Sequence, residues 1–146
     1  FIRNIFFNYA KNIRNKEYTM KKIISTPLAP KAIGPYNQAI LSGNTLYLSG
    51  QIALSPQTGC LVGNNIKEQT LQCLTNINAI LQEAGFDKSD IVRAVIYLTD
   101  INDFAECNEI YGNFFDKVTT PARTTIAVNA LPKNAKVEIE ITASKS

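Results

Sequence analysis

The stretch PARTTIAVNALPKNAKVEIEITA, residues 121–143, decides the fold of this chain. Its second half alternates strictly between apolar and polar side chains: Val137, Glu138, Ile139, Glu140, Ile141 and Thr142. A period of two predicts a strand with one apolar face, here residues 135–143. The first half predicts another strand, residues 123–128, that begins at a lone arginine, Arg123. Two acids on one strand face are also ordinary patterning on an exposed antiparallel sheet, so the pattern alone leaves their role open.

Shorter strands precede this stretch. Residues 22–25 predict an edge strand, and residues 36–41 and 45–50 predict a hairpin around Ser42-Gly43-Asn44. Residues 91–98 are apolar on both faces. Such a segment is typical of a strand at the centre of a sheet that is covered on both sides.

Two helices are predicted between the strands. Asn65 and Glu68 have the spacing of a capping pair at the start of the first helix, and Gly85 predicts its left-handed end. One stripe of this helix holds Ile66, Thr70, Leu74, Ile77 and Leu81. The second helix is predicted to start at Asp103, with Glu106 as its capping partner. We interpret its apolar residues as core: Phe104, Cys107, Tyr111, Phe114 and Phe115.

The order of these elements predicts the architecture. Three strands, a helix, a strand, a helix and two strands indicate an α+β fold with a six-stranded sheet and both helices on one face. Two helices cannot cover both faces of such a sheet, although the strand at 91–98 is apolar on both. Identical copies of the domain would cover the other face, so we expect a closed homo-oligomer.

Composition narrows the classes of function. The chain has 146 residues, 45% hydrophobic and 18% charged, which fits one domain, and no apolar run long enough to cross a bilayer. We therefore expect a soluble protein without a membrane partner. It has three cysteines in no CxxC spacing and no histidine, so we expect reduced thiols and no metal site. The lack of histidine excludes a Ser-His-Asp triad and a histidine acid-base pair for RNA cleavage.

Charge divides the chain into two parts. Residues 1–19 hold four basic residues and one acid, whereas residues 20–146 hold eleven of each. A neutral domain argues against nucleic acid as the main partner. The basic extension 1–19 is an organellar transit segment, an upstream translation remnant or a partly ordered arm, and Met20 is expected to begin the domain. We expect a cytoplasmic protein, or a mitochondrial or plastid one if the extension is a transit segment.

Four stretches together resemble one known family. They are AIGPYNQAI at 32–40, LYLSGQIAL at 46–54, NDFAECNEIYGNFF at 102–115, and the opening stretch. In this order and spacing they resemble the RidA family of reactive-intermediate deaminases, also called the YjgF type or L-PSP endoribonuclease. The resemblance covers residues 21–143. It implies a chorismate-mutase-like fold and a homotrimeric barrel with active sites in the clefts between subunits.

The resemblance also implies a reaction and its residues. Deaminases of this type hydrolyse 2-imino acids, such as 2-iminobutanoate and 2-iminopropanoate, to 2-keto acids and ammonia without cofactor or metal. The matching positions make Arg123 the carboxylate-binding residue, Glu138 the water-directing residue and Tyr36 the residue that closes the pocket. Further substrate contacts are expected from Ser49, Gly50 and Asn108. Where the family often has cysteine this chain has Thr125, from which we expect at most a backbone contact.

Physical chemistry is compatible with these roles. The planar guanidinium of arginine can hold a carboxylate through two parallel hydrogen bonds, although an ordinary ion pair is an equal alternative for Arg123. If its strand paired directly with that of Glu138, the two side chains would stand roughly 16 Å apart along the strands, at ~3.3 Å per residue. In the family fold another strand separates them instead. Either arrangement predicts a site shared between two subunits.

Two other functions remain open at this point. The older family name suggests an endoribonuclease or translation inhibitor that acts on single-stranded RNA. A chain that keeps the cleft without catalysis would be a ligand-binding protein. Salt-sensitive RNA cleavage would favour the first alternative, and 2-keto acid binding without imine turnover would favour the second.

Overall fold

The computed structural model describes residues 21–146, so the extension 1–19 and Met20 lie outside the described residues. The predicted order of elements is confirmed. The elements are β1 Lys22–Ile24, β2 Ala39–Ser42, β3 Thr45–Ile52, α1 Ile66–Glu83, β4 Ile91–Leu98, α2 Phe104–Phe114, β5 Ala122–Ala127 and β6 Val137–Ser144. The hairpin turn between β2 and β3 is also confirmed, with Gly43 at a φ of 60°.

The six strands form one mixed sheet in the order β1-β2-β3-β6-β4-β5. Only the pairing of β4 with β5 is parallel. The strand predicted at the centre, β4, is interior but lies one place from the edge, and β3 and β6 occupy the middle. The alternative of a direct pairing between β5 and β6 is wrong, because β4 lies between them.

The first helix begins and ends as predicted. Asn65 Oδ1 accepts a hydrogen bond from the Glu68 N–H at 2.9 Å, and Gly85 ends the helix with a φ of 76°. Glu68 reaches back one residue further than expected, to the N–H of Asn64 at 3.0 Å.

The predicted cap of the second helix is wrong. Asp103 already has helical φ and ψ of −75° and −6°, and its side chain makes no capping bond. A capping residue needs an extended backbone for its side chain to reach the free amides. The chain supplies that conformation earlier, at Asp100, whose Oδ1 accepts from the N–H of Asn102 at 2.9 Å. A short 3-10 turn over residues 101–103 then leads into α2.

Both helices cover the same face of the sheet and share one core with it. The predicted stripe of α1 is buried throughout, and α2 adds Cys107 and Tyr111. Burial raises the pKa of Cys73 and Cys107, which keeps both as neutral thiols, as expected for small core residues. Phe104 departs from the expected core role, since 39% of it is exposed.

The opposite face of the sheet is open in a single chain. Large apolar side chains stand on it with substantial exposure: Ile23 at 61%, Tyr47 at 55% and Ile126 at 44%. Strand register places all three on the side of Glu138 and away from the helices. Exposed large apolar side chains on one sheet face are typical of an interaction surface, although Glu138, Glu140 and Thr142 of β6 lie between Tyr47 and Ile126. Between residues 21 and 146, no helix combines the length and hydropathy needed to span a bilayer.

Candidate active site

The seven residues expected at the site fall into two clusters. The first contains Tyr36, Ser49, Gly50 and Glu138, which line one cavity of about 320 Å³. The rest of its wall is apolar apart from Lys31 and Gln51, and the apolar side chains are Pro30, Ile33, Ile52, Leu54 and Pro132. We call this the glutamate cavity. It offers one carboxylate within a mainly apolar surround, which is the usual composition of a small-molecule site.

Glu138 fits into this cavity because Gly50 has no side chain. The pairing of β3 with β6 shifts register between Leu48 and Gln51, and this irregularity lies beside Glu138. A Cβ atom at Gly50 would overlap the Glu138 carboxylate oxygen and would lie 2.9 Å from its Cδ. Glycine at position 50 therefore provides the space that the carboxylate occupies.

The electrostatic setting of Glu138 favours proton uptake. Burial raises the pKa of its carboxyl group, and the neighbouring charge of Glu140 raises it further. Within residues 21–146 the carboxylate has no ion pair closer than 4.0 Å. A half-buried carboxylate with a raised pKa and free lone pairs is a suitable general base.

A loop between β1 and β2 closes one side of the glutamate cavity. The Tyr36 hydroxyl accepts a hydrogen bond from the N–H of Ile33 at 3.2 Å, which folds the tyrosine back on its own loop. Ser49 donates its hydroxyl hydrogen to the carbonyl of Asn37 at 2.7 Å. Two of the expected site residues thus fix the geometry of the loop as well as facing the cavity.

Gln38 holds this loop in place and was not among the expected site residues. It is only 4% exposed. Its amide oxygen accepts from the N–H of Thr26 at 2.7 Å, and its amide nitrogen donates to the carbonyls of Thr26 at 3.0 Å and Pro30 at 2.8 Å. Buried polar groups need such partners, and here they tie the loop to the sheet. The signal in the sequence is a glutamine directly before the apolar strand β2.

The second cluster surrounds Arg123 on the helix side of the sheet. Arg123 Nη1 donates to Asn108 Oδ1 at 2.8 Å. The guanidinium carbon lies 4.9 Å from the ring centre of Tyr111 and 5.7 Å from that of Phe104. We call Phe104, Asn108 and Tyr111 the arginine cradle. Thr125 follows on the same face of β5, and its Oγ1 is buried without a hydrogen-bond partner in the described part of the chain.

The two clusters lie on opposite faces of the sheet. Arg123 is paired with Ala94 of β4, and Glu138 is paired with Tyr97 of the same strand. Paired residues share a face, and positions 94 and 97 of one strand point to opposite faces. A single chain therefore separates the guanidinium from the carboxylate both by a strand and by the thickness of the sheet.

No group of three or more potential metal ligands occurs among the His, Cys, Asp and Glu side chains of residues 21–146.

Comparisons with known proteins identify the family of this chain. The family model described as endoribonuclease L-PSP matches residues 26–145. A RutC family protein from Leuconostoc mesenteroides subsp. cremoris is 53% identical over 128 residues, covering 86% of this chain and 98% of the relative. A 2-iminobutanoate/2-iminopropanoate deaminase from Bos taurus is 48% identical over 124 residues, covering 85% and 90%.

A solved structure shows the same fold. The crystal structure of E. coli TdcF with bound serine superposes with a TM-score of 0.83 at 43% identity, over 86% of this chain and 99% of TdcF. The extent of these matches confirms the resemblance drawn from the four sequence stretches. The chain therefore belongs to the endoribonuclease L-PSP family, in which the RidA or YjgF-type proteins are grouped.

Proposed function

We propose that this protein hydrolyses 2-imino acids, among them 2-iminobutanoate and 2-iminopropanoate, to 2-keto acids and ammonia in clefts between the subunits of a homotrimer. The observation that carries the proposal is the glutamate cavity, where a carboxylate with a raised pKa stands against Gly50. The name of the relative from Bos taurus supports the substrate class. The serine in TdcF supports a ligand of amino-acid size.

Imine hydrolysis requires only a few catalytic groups from the protein. The carbon of a protonated C=N bond already attracts water, so the site has to hold the substrate, place one water and move protons. Glu138 takes a proton from that water while the water oxygen bonds to the imine carbon. Glu138 then delivers this proton to the nitrogen, and the C–N bond breaks as the hydroxyl oxygen forms the C=O bond of the 2-keto acid. The hydroxyl proton passes to Glu138 and on to solvent, and the nitrogen leaves as ammonia. The raised pKa of Glu138 makes its carboxylate a stronger proton acceptor than that of an ordinary exposed glutamate.

Arg123 binds the substrate carboxylate in this proposal. It has no ion pair within residues 21–146, so its charge is available to a ligand. Asn108 and Thr125 lie beside it, whereas Tyr36, Ser49 and Gly50 lie beside Glu138. A small imino acid therefore meets both groups only if a second copy brings its own Arg123 to the glutamate cavity. The exposed apolar face around Tyr47 is the surface that such copies would cover.

The direct test is turnover of freshly formed imine. An amino-acid oxidase or dehydratase generates 2-iminobutanoate in situ, and loss of the imine is followed with and without the protein. We expect faster imine loss together with stoichiometric 2-oxobutanoate. Binding of 2-oxobutanoate without any acceleration would instead make the chain a non-catalytic ligand-binding protein.

Mixed assemblies test the sharing of sites. Arg123→Ala and Glu138→Gln chains, each with a kcat/KM at least about tenfold below wild type, are coexpressed with different affinity tags and assayed at substrate concentrations well below KM. In a random mixture three quarters of the trimers are mixed and each has one intact cleft, so about a quarter of the wild-type activity should return. A mixture no more active than the separate variants would show that both residues must come from one chain.

Gly50→Ala tests the geometry of the glutamate cavity. The new methyl group overlaps the Glu138 carboxylate, so the side chain has to rotate away from its present position. We expect kcat to fall about five- to tenfold, because a displaced base still reaches the water in a poorer geometry. Gly112→Ala is the matched control. A Cβ at that exposed helical position meets nothing within 4 Å, so activity should be unchanged. Full activity in Gly50→Ala would remove Gly50 from the site.

A further inference from the structure

The guanidinium of Arg123 is held by uncharged groups alone. One amide accepts its Nη1 hydrogen, and two aromatic rings lie within 5.7 Å of its carbon. Within residues 21–146, no carboxylate approaches its nitrogens to 4.0 Å. Uncharged partners position a cation without cancelling its charge, whereas an ion pair would compete with an anionic ligand.

The helix arranges these partners by spacing. Phe104, Asn108 and Tyr111 stand at positions i, i+4 and i+7 of α2 and so share one face of it. Glu106 and Glu109 of the same helix lie off this face, and Glu109 pairs with Lys67 at 2.8 Å instead. The helix thus keeps its two acids away from the arginine and presents rings to it.

From this arrangement we infer that Phe104 and Tyr111 are positioning residues for Arg123, whose rings hold the guanidinium so that its free N–H groups meet the carboxylate of the ligand. The inference rests on the proposed function only in taking that ligand to be a 2-imino or 2-keto acid. Phe104 and Tyr111 act through Arg123 and do not themselves touch the reacting atoms.

The ring of Tyr111 matters here more than its hydroxyl group. The hydroxyl oxygen is buried and has no hydrogen-bond partner in the described part of the chain. Burial raises the pKa of Tyr111 to about 12, so the side chain stays neutral and supplies no charge to the ligand. Phenylalanine at this position retains the ring, and leucine removes it.

The experiment measures the dissociation constant of 2-oxobutanoate by calorimetry and KM and kcat for 2-iminobutanoate. Variants Phe104→Leu and Tyr111→Leu should raise the dissociation constant and KM about three- to thirtyfold, the range of cation–π contacts from exposed to desolvated. Over the same variants kcat should change far less. Tyr111→Phe should restore most of the affinity that Tyr111→Leu loses. Thermal unfolding of each variant reports whether the domain remains folded.

A double-mutant cycle separates positioning from general damage. If the rings act through Arg123, Phe104→Leu should lower kcat/KM in the wild-type background but not further in the Arg123→Ala background. Equal losses in both backgrounds would overturn the inference, and so would a Tyr111→Phe variant as weak as Tyr111→Leu.

The experiment tests the proposed deaminase activity independently of the positioning role of Phe104 and Tyr111. A wild-type chain that binds 2-oxobutanoate but does not hydrolyse imines fails as a deaminase. The inference is then decided by the dissociation constants of Phe104→Leu and Tyr111→Leu. Values within about twofold of wild type would overturn it, because even an exposed cation–π contact changes affinity by more. A wild-type chain that binds no 2-oxobutanoate overturns it as well.

Discussion

Replacing Glu138 with glutamine should lower kcat for 2-iminobutanoate about 10²- to 10⁴-fold, the usual contribution of a general base. Glutamine has nearly the shape of glutamate and can still fill the space beside Gly50, so the loss reports the missing proton acceptor. The affinity for 2-oxobutanoate should change little, because in the proposed site Arg123 and not Glu138 binds the carboxylate. Steady-state kinetics and calorimetry on the same preparations measure both quantities.

The pH profile provides an independent check of this role. Burial and Glu140 raise the pKa of Glu138, so the ionised base is lost as pH falls through a value above that of a free glutamate. The acid limb of the kcat profile should lie at that raised value. Glu140→Gln is the matched control, since it removes the neighbouring charge but leaves the base. It should shift the acid limb to lower pH and keep activity at neutral pH.

Glu138→Gln should increase the stability of the fold although it lowers the activity. A carboxyl group whose pKa is raised by folding binds its proton more tightly in the folded state, so its ionised form lowers the free energy of unfolding above that pKa. Glu138→Gln should therefore unfold at a higher temperature than wild type at pH 7. This difference should shrink as pH falls below the raised pKa.

An unchanged kcat in Glu138→Gln, or an equal loss of kcat in Glu140→Gln, would contradict the assignment of Glu138 as the base.

Arg123→Ala should reduce kcat/KM for 2-iminobutanoate at least about 10- to 100-fold. The estimate follows from about 1.5 to 3 kcal/mol for a charge-assisted hydrogen bond, at ~1.4 kcal/mol per factor of ten. Most of the loss should appear in KM, because the substrate carboxylate keeps its charge throughout the reaction. Arg123→Lys should recover only part of it, since an ammonium group lacks the planar pair of donors.

Lys67→Ala is the control for a lost positive charge. Lys67 also contacts α2, but through an exposed ion pair with Glu109, which contributes little to stability. The Lys67→Ala variant should retain wild-type kinetics and wild-type affinity for 2-oxobutanoate. Nearly unchanged activity in Arg123→Ala would remove Arg123 from the site, and an equal loss in Lys67→Ala would point to a nonspecific charge effect.

Local patterns predicted the fold well where one physical cause dominates. The alternation in residues 135–143 identified β6, and the spacing of Asn65, Glu68 and Gly85 fixed α1 to within one residue at its ends. The start of α2 was predicted to within one residue, but the side-chain cap at Asp103 was wrong because capping depends on backbone angles. Residues 100–103 offer two acids with suitable spacing, and only their conformations decide between them.

The positions of the site residues relative to one another could be established only from the structure of the sheet. Four expected residues meet in the glutamate cavity, and the other three, Arg123, Asn108 and Thr125, lie on the helix side of the sheet. The sequence could not show that these groups lie on opposite faces, because this depends on the register of β5 and β6 against β4. Gln38, Phe104 and Tyr111 were missed as site residues, because their positions in the sequence are equally typical of core residues and only the structure shows their partners.

The opposite placement of Arg123 and Glu138 restricts how copies can assemble. A two-fold dimer uses one patch on both partners, and the two faces of a sheet cannot lie within one such patch. If Glu138 of one copy meets Arg123 of another, as proposed, that contact is therefore heterologous and runs head to tail. An open chain of subunits joined in this way leaves one Glu138 and one Arg123 without a partner at its ends. A closed ring of subunits pairs every Glu138 with an Arg123.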